Sequence, residues 1–392
     1  MRQLTVHRRT VVGRTLLLAA GTCALTTLLT SCGKAPGNTP DVFVVLASAT
    51  ANEPAPALAA SDLGLLQGAA GASNQALAYV VNPSTGAPVT VSLTPRRPDG
   101  QVDYGPDRDS RIGQNLSQVQ HVVGDQAASG PFDLLTMMAN AIRVTPQPGT
   151  LLIVSSGVST AGGFNLRDVG WDANPATIAT ALKQRGLLPD LSGWNVVFSG
   201  LGDTAGQQPA LPLPQRTTLS QYWLAICRAA GAAVCRTDEM TRPDPPSHST
   251  TPVPVVPVPA VTSVRGPGNS TDVSVPSDQL FAFNSAALLP GADTVLSPLA
   301  AKARAGGQAV SITGYASPDG GSAAYNKLLS EQRALAVRAR LIALGVPAGQ
   351  ISSVRGLGTD GVSPQACETN GQLNEATCAQ FRRVMIALSP HT

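Results

Sequence analysis

Histidine is scarce in this chain: His7, His121, His248 and His391 are the four in 392 residues. His7 falls in an apolar leader, His248 in a proline-rich stretch and His391 at the tail, so a folded region holds only His121. A multi-histidine metal centre within one chain is thereby excluded. A Ser-His-Asp arrangement would depend on His121, and no GxSxG run accompanies it. No P-loop occurs, and neither downstream cysteine pair has CxxC spacing. Charge is sparse as well, with 13% Asp, Glu, Lys and Arg, and lysine appears only at Lys34, Lys183, Lys302 and Lys327. Arg2, Arg8, Arg9 and Arg14 lie in the first 31 residues with no acid, so removing that segment takes the formal charge from +3 to −1. A near-neutral chain lacks the basic footprint of a nucleic-acid binder. These absences imply no enzyme, no cofactor and no metal site, although paired carboxylates could still hydrolyse glycan without such motifs.

What is present begins with residues 1–31, which have a positive start at Arg8-Arg9, an apolar run from Val11 to Leu29 and small residues after it. Leu29-Thr30-Ser31-Cys32 resembles the lipobox of bacterial lipoproteins. The resemblance implies acylation and cleavage at Cys32, with an ordinary signal peptide and a chance cysteine as the alternative. Two or three acyl chains anchor firmly, since each buried methylene contributes roughly 0.8 kcal/mol. Arg8-Arg9 also raises twin-arginine export, but the residues after it fit poorly. Cys227 and Cys235 lie eight apart and Cys367 and Cys378 eleven apart. In an extracytoplasmic setting both pairs read as structural disulfides.

At this length two folded domains are expected. A tether occupies residues 32–40, a first domain 41–241, a Pro-rich linker 242–270 and a last domain 271–392. The linker contains Pro252-Val-Pro-Val-Val-Pro-Val-Pro259; it should be extended and semi-rigid, and should separate the domains. In the first domain, apolar runs at 42–46, 75–81, 89–93, 150–154 and 194–198 read as strands. Helical spacing occurs over 132–142, 176–185 and 219–231. Continuous apolar strands between helices imply an α/β fold with a doubly wound, mostly parallel sheet.

That pattern resembles a von Willebrand factor A-type domain. In that family the first strand ends in DxSxS around a metal ion, whereas this chain has Leu46-Ala-Ser48-Ala-Thr50; the later Ser-Asp-Gly is Ser155-Ser156-Gly157. Divalent cations of this type need carboxylate oxygens, and both expected ones are missing. The resemblance therefore implies the fold without its metal. Ser155–Ser159 and Gly200–Asp203 fall at strand ends, where such sheets bind ligands; tight turns are the bland alternative.

The last domain reads as β-α-β-α-β-β. Gln279–Asn284 is the expected first strand, and Ser297-Pro298 is an expected N-cap and N1 pair opening a helix to about Gly306. Ala309–Tyr315, a long helix closed by Gly345, and strands at 351–356 and 383–388 follow. Gly314-Tyr315, Gly320, Tyr325-Asn326, Leu329-Ser330, Arg333-Ala334, Gly356-Leu-Gly358 and Arg382-Arg383-Val384 together resemble the OmpA-like C-terminal domain, which associates with peptidoglycan.

In that family an aspartate after the Gly-Tyr pair and the arginine of LSxxRA bind diaminopimelate of the stem peptide. The resemblance gives Arg333 the carboxylate role, suited to a guanidinium fork. Where the family has the aspartate this chain has Ser317, followed by Pro318-Asp319. Either Ser317 replaces the acid with a neutral acceptor or Asp319 swings into its place. Phe381-Arg382-Arg383 stands for Asn-Arg-Arg. The implied binding set is Ser317, Asp319, Tyr325, Asn326, Arg333, Arg382 and Arg383; the bland reading of Arg333 is a surface ion pair with Asp319, Asp360 or Glu331. The expectation is a protein anchored to a membrane through its lipid, bound to peptidoglycan, and carrying at 41–241 a spacer or module for an envelope protein partner. The alternative is a hydrolase or ligand receptor in residues 41–241 that the last domain places on the cell wall.

Overall fold

A computed structural model describes residues 41–238, 245–318, 321–369 and 372–390. Cys32, the leader, the tether and Asp319 lie outside the described residues, which all fall in one compact unit.

The first sheet is built from β1 (Asp41–Ala47), β2 (Ala76–Val81), β3 (Pro88–Ser92), β4 (Thr150–Val154), β5 (Asn195–Ser199) and β6 (Val234–Asp238), in the order β3-β2-β1-β4-β5-β6. All neighbours are parallel except the edge pair β2–β3. Alternation along β1 shows why both faces need cover. Val42, Val44 and Leu46 enter one apolar cluster, while Phe43, Val45 and Ala47 enter the other. Helices α1 (Ala60–Ala72) and α2 (Arg108–Gly124) close the second face. On the first lie α3 (Leu134–Ala141), the short α4 (Leu166–Val169), α5 (Pro175–Gln184) and α6 (Leu213–Ala229). The doubly wound, mostly parallel arrangement read from the strands is thus present. The sequence reading passed over α1, α2 and β6. Three glycines dilute the helical signal of α1, α2 is largely polar, and β6 carries Arg236 and Asp238 in place of an apolar run.

The Ser/Thr-rich strand ends converge on a carboxylate. Glu53 is buried and accepts hydrogen bonds from Ser48 Oγ (2.6 Å), Thr50 N (2.8 Å) and Thr50 Oγ1 (2.7 Å). Ser155 Oγ (3.1 Å), Ser156 N (2.6 Å) and Ser156 Oγ (2.8 Å) donate to the same group. The hydroxyls that resemble metal ligands therefore act as donors to an anion, and this knot ties the end of β1 to the end of β4.

The Pro-rich segment is extended, but it does not separate the two halves. Val253 and Val256 are buried in the first domain's core. Trp171 Nε1 donates to Pro257 O (2.8 Å), and Gln208 donates through Nε2 to Val256 O (3.0 Å) and accepts at Oε1 from Val256 N (2.8 Å). A chain of this type makes no internal hydrogen bonds, so its backbone groups are free for such side chains. Beyond it, β7 (Thr262–Arg265) joins the second sheet as an edge strand, so residues 262–265 belong to the last domain's sheet.

That second sheet has the order β10-β9-β13-β8-β7, with β8 (Thr271–Pro276), β9 (Ala309–Tyr315), β10 (Ile351–Gly358) and β13 (Arg383–Ser389). Helices α7 (Asp293–Ala305) and α8 (Ala323–Ala343) cover it; a small hairpin of β11 (Glu368–Thr369) and β12 (Gln372–Leu373) with α9 (Glu375–Ala379) precedes β13. The expected strand at Gln279–Asn284 is not one. Leu280 N and Phe281 N both donate to Ser277 O (3.0 and 2.8 Å), so the chain turns there after a 3₁₀ turn at Ser277–Gln279. The strand is β8, where Val273 and Val275 alternate inward. Likewise α7 opens at Asp293, so Pro298 sits in its second turn, where it removes one helical hydrogen bond. Both disulfides, Cys227–Cys235 and Cys367–Cys378, are formed; the first clips α6 to β6.

Substituting Glu53→Ala should cost about 3 kcal/mol or more, since it strips one acceptor from six donors in a buried site. Urea unfolding of the variant against wild type measures this, with Glu53→Gln expected to fall between the two.

Candidate functional site

On α8, Asn326 and Arg333 lie seven residues apart and so share one face. Two glycines let that face sit deep on the sheet. A Cβ at Gly314 of β9 would meet Ser330 O at 2.1 Å, and one at Gly356 of β10 would meet Glu331 N at 2.2 Å. Ser330 Oγ accepts from Gly358 N (2.9 Å), which pins the helix to the end of β10. Ser322 caps the helix, accepting from Tyr325 N (3.2 Å).

Arg333 is 2% exposed and is not the surface ion pair of the bland reading; Asp360 pairs with Lys327 instead, at 3.5 Å. Its Nε donates to Ser285 O (2.9 Å), its Nη1 reaches Ser277 Oγ (3.4 Å), and its guanidinium lies 5.3 Å from the centre of the Phe281 ring. Burial pushes its pKa below the ordinary arginine value, an effect that the nearby Asp172 carboxylate opposes. Arg382, just before β13, donates through Nη1 to Ser317 Oγ (2.9 Å), and Asn326 Nδ2 donates to Ser317 O (3.2 Å). Ser317, Asn326, Arg333 and Arg382 thus converge and line one cavity of ≈ 420 Å³.

Two other residues of the expected set do not join them. Tyr325 is 41% exposed and packs over Gly321. Arg383 turns to Gln380 O (2.9 Å) and stacks on the Tyr315 ring. In the first domain, the strand-end residues Ser155 and Ser156 are committed to Glu53, and Asp203 pairs with Arg216 at 2.8 Å. His121 lies exposed on α2 beside Asp125.

A family model matches this part of the chain over residues 280–374, which contain α7, β9, α8 and β10. Residues 280–374 are an OmpA family domain. Similar solved structures cover about a third of this chain. A putative MotB-like protein from Desulfovibrio vulgaris shares 25% identity, with 34% of this chain and 80% of that one covered and a TM-score of 0.28. The cell wall anchor of the T6SS from Pseudomonas aeruginosa shares 25%, covering 33% and 88%, with a TM-score of 0.28. The peptidoglycan-associated lipoprotein from Burkholderia pseudomallei shares 28%, covering 30% and 89%, with a TM-score of 0.25. None of the curated proteins matches the chain.

Across the cavity from the OmpA-like domain stands the first domain, which sequence reasoning did not bring to the site. Asp172, in the turn between α4 and α5, is 5% exposed and forms an ion pair with Arg382. The turn is held in place: Trp171 bonds Pro257 O, and Tyr222 Oη accepts from Ala173 N (3.0 Å) and donates to Gly170 O (3.3 Å). Asp278, in the 3₁₀ turn that follows β8, and Gln215 of α6 are buried at the same junction. Burial, reinforced by the charge of Asp172, pushes the Asp278 carboxyl up to about 7, while Gln215 and Arg382 pull the other way. No periodicity or motif marks Asp172 or Asp278, because their meeting with Arg382 is purely tertiary.

A folded-state value near 7 against an unfolded value of 3.8 means that the native protein binds one more proton than the unfolded chain between those limits. Stability should therefore fall as pH rises from about 4 to about 7 on account of this group. Thermal unfolding of Asp278→Asn should show that slope reduced and a melting temperature above wild type at pH 8. An unchanged slope would refute the assignment.

Proposed function

We propose that this chain binds peptidoglycan non-covalently through its OmpA-like domain and holds the first domain at the cell envelope. The single observation that carries this reading is the buried cluster of Arg333, Arg382, Ser317 and Asn326, which opens on one cavity at the OmpA family domain. A guanidinium with its Nε already fixed is pre-organised to receive a carboxylate, and the low-dielectric surroundings strengthen that contact. The free carboxylate of a diaminopimelate side arm is the ligand group that fits. Within this reading Ser317 is a neutral acceptor, whose hydroxyl already meets Arg382.

The anchor is the lipidated Cys32, supported by the lipobox resemblance of Leu29-Thr30-Ser31-Cys32. No helix among the described residues is long and apolar enough to cross a membrane. We read residues 41–241 as a partner-binding module of von Willebrand factor A type. The doubly wound sheet with Ser/Thr-rich strand ends supports that reading, and the Glu53 carboxylate seated among those hydroxyls supports a version without metal.

Sedimentation of the full chain with purified peptidoglycan tests the wall-binding role. Arg333→Ala should cut the bound fraction about tenfold or more, and Arg333→Lys, which keeps the charge but not the fork, should fall between. Equal pelleting of wild type and Arg333→Ala, with both shown folded by circular dichroism, would sink the site. For the anchor, radiolabelled palmitate should enter the wild-type protein in cells and not Cys32→Ala.

A further inference from the structure

The cavity that Arg333 faces has two walls, and only one belongs to the OmpA-like domain. The other is α5 with the turn before it, which contributes Asp172, Asn174 and Ile178. The described charges on the OmpA-like wall, Arg333 and Arg382, are both positive. Among the described residues a single acid lines the cavity, and it is Asp172 of the first domain. With Arg185 on the same wall as Asp172, the space offers arginines on both walls to an anion and, beside Arg382, one carboxylate to a cation. Its complement is a group that carries a carboxylate and an ammonium close together.

Asp172 is not a plug. It lies at the wall, in contact with Arg382, and ≈ 420 Å³ remains open beside it, within the range of about 300–1,000 Å³ usual for small-ligand sites. Its position is rigid, because Trp171 and Tyr222 hold the turn on both sides and Asn174 caps α5 through Ala176 N (2.8 Å) and Thr177 N (3.0 Å). Its field reaches Arg333 as well as Arg382. Binding an ammonium-carboxylate pair would place the ligand's anion on the arginines and its cation on Asp172, so no net charge is added to a buried site.

Resting on the peptidoglycan reading above, we infer that the stem-peptide site is shared between the two domains, with Asp172 accepting the side-arm ammonium of a diamino acid while Arg333 takes its carboxylate. The OmpA-like domain alone would then hold half a site. Docking of the first domain sets selectivity for a free side-arm amine.

The test uses the full chain and two tripeptides ending in meso-diaminopimelate, one with the side-arm amine free and one with it acetylated, with affinities from calorimetry. Wild type should prefer the free amine tenfold or more. Asp172→Asn should bind the free-amine peptide at least tenfold more weakly and treat both peptides alike, whereas Asp172→Glu should restore the preference. Melting curves establish that each variant is folded. Binding by folded Asp172→Asn equal to or tighter than wild type would overturn the shared site and make Asp172 an occluding group. Loss of discrimination in Asp319→Asn alone would assign the acceptor there instead. If wild type binds neither peptide yet pellets with peptidoglycan, the shared site fails and the wall-binding reading stands; if it does neither, both fall.

Discussion

The ion pair between Asp172 and Arg382 is the contact on which the site depends, because it joins two buried residues, one in the turn before α5 and one just before β13. Burying charges costs several kcal/mol per ion unless each finds partners of good geometry. Arg382 finds two, Asp172 and Ser317 Oγ, on opposite sides of the junction. Asp278, buried beside them, escapes the cost by holding its proton up to about pH 7. Such a cluster adds little to stability by itself. It does make one relative placement of the sheets far better than its neighbours, since any slip leaves buried charge uncompensated.

The depth of α8 is the second constraint. Gly314 and Gly356 remove the two Cβ atoms that would hold the helix off the sheet, and the helix backbone at Ser330 and Glu331 drops into the space. Arg333, one turn further, is thereby carried below the surface, where a guanidinium is poorly hydrated and correspondingly strong toward an anion. The glycines of the family pattern and its arginine are parts of one arrangement: without the close approach, Arg333 would be a solvated surface charge.

The Pro-rich segment shows how composition can be read correctly and its consequence missed. That it cannot be helical follows from its prolines alone. Whether it spans a gap or lies on a surface depends on what it meets, and here Trp171, Gln208 and Asn52 supply donors and acceptors along its length. Val253 and Val256 then bury themselves in the first domain's core. Because the segment is bound rather than free, the first domain stays against the OmpA-like domain.

The elements most legible in the sequence were those with a strong period of their own. The strand Ala309–Tyr315, the long helix over Tyr325–Leu341 and the alternating faces of Asp41–Ala47 all follow from local patterning. Gln279–Asn284 misled because a short apolar run looks alike whether it forms a strand or a buried turn. Four residues of the binding set, Ser317, Asn326, Arg333 and Arg382, converge on one cavity, while Tyr325 lies exposed over Gly321 and Arg383 stacks on Tyr315. What the sequence by itself determined was the identity of the C-terminal domain and the position of its arginine, since both rest on residues within one continuous stretch. Only the tertiary structure decided what faces that arginine. Asp172 lies 161 positions before Arg333 and shares no pattern with it. Their approach follows from how two sheets pack, which no local period encodes.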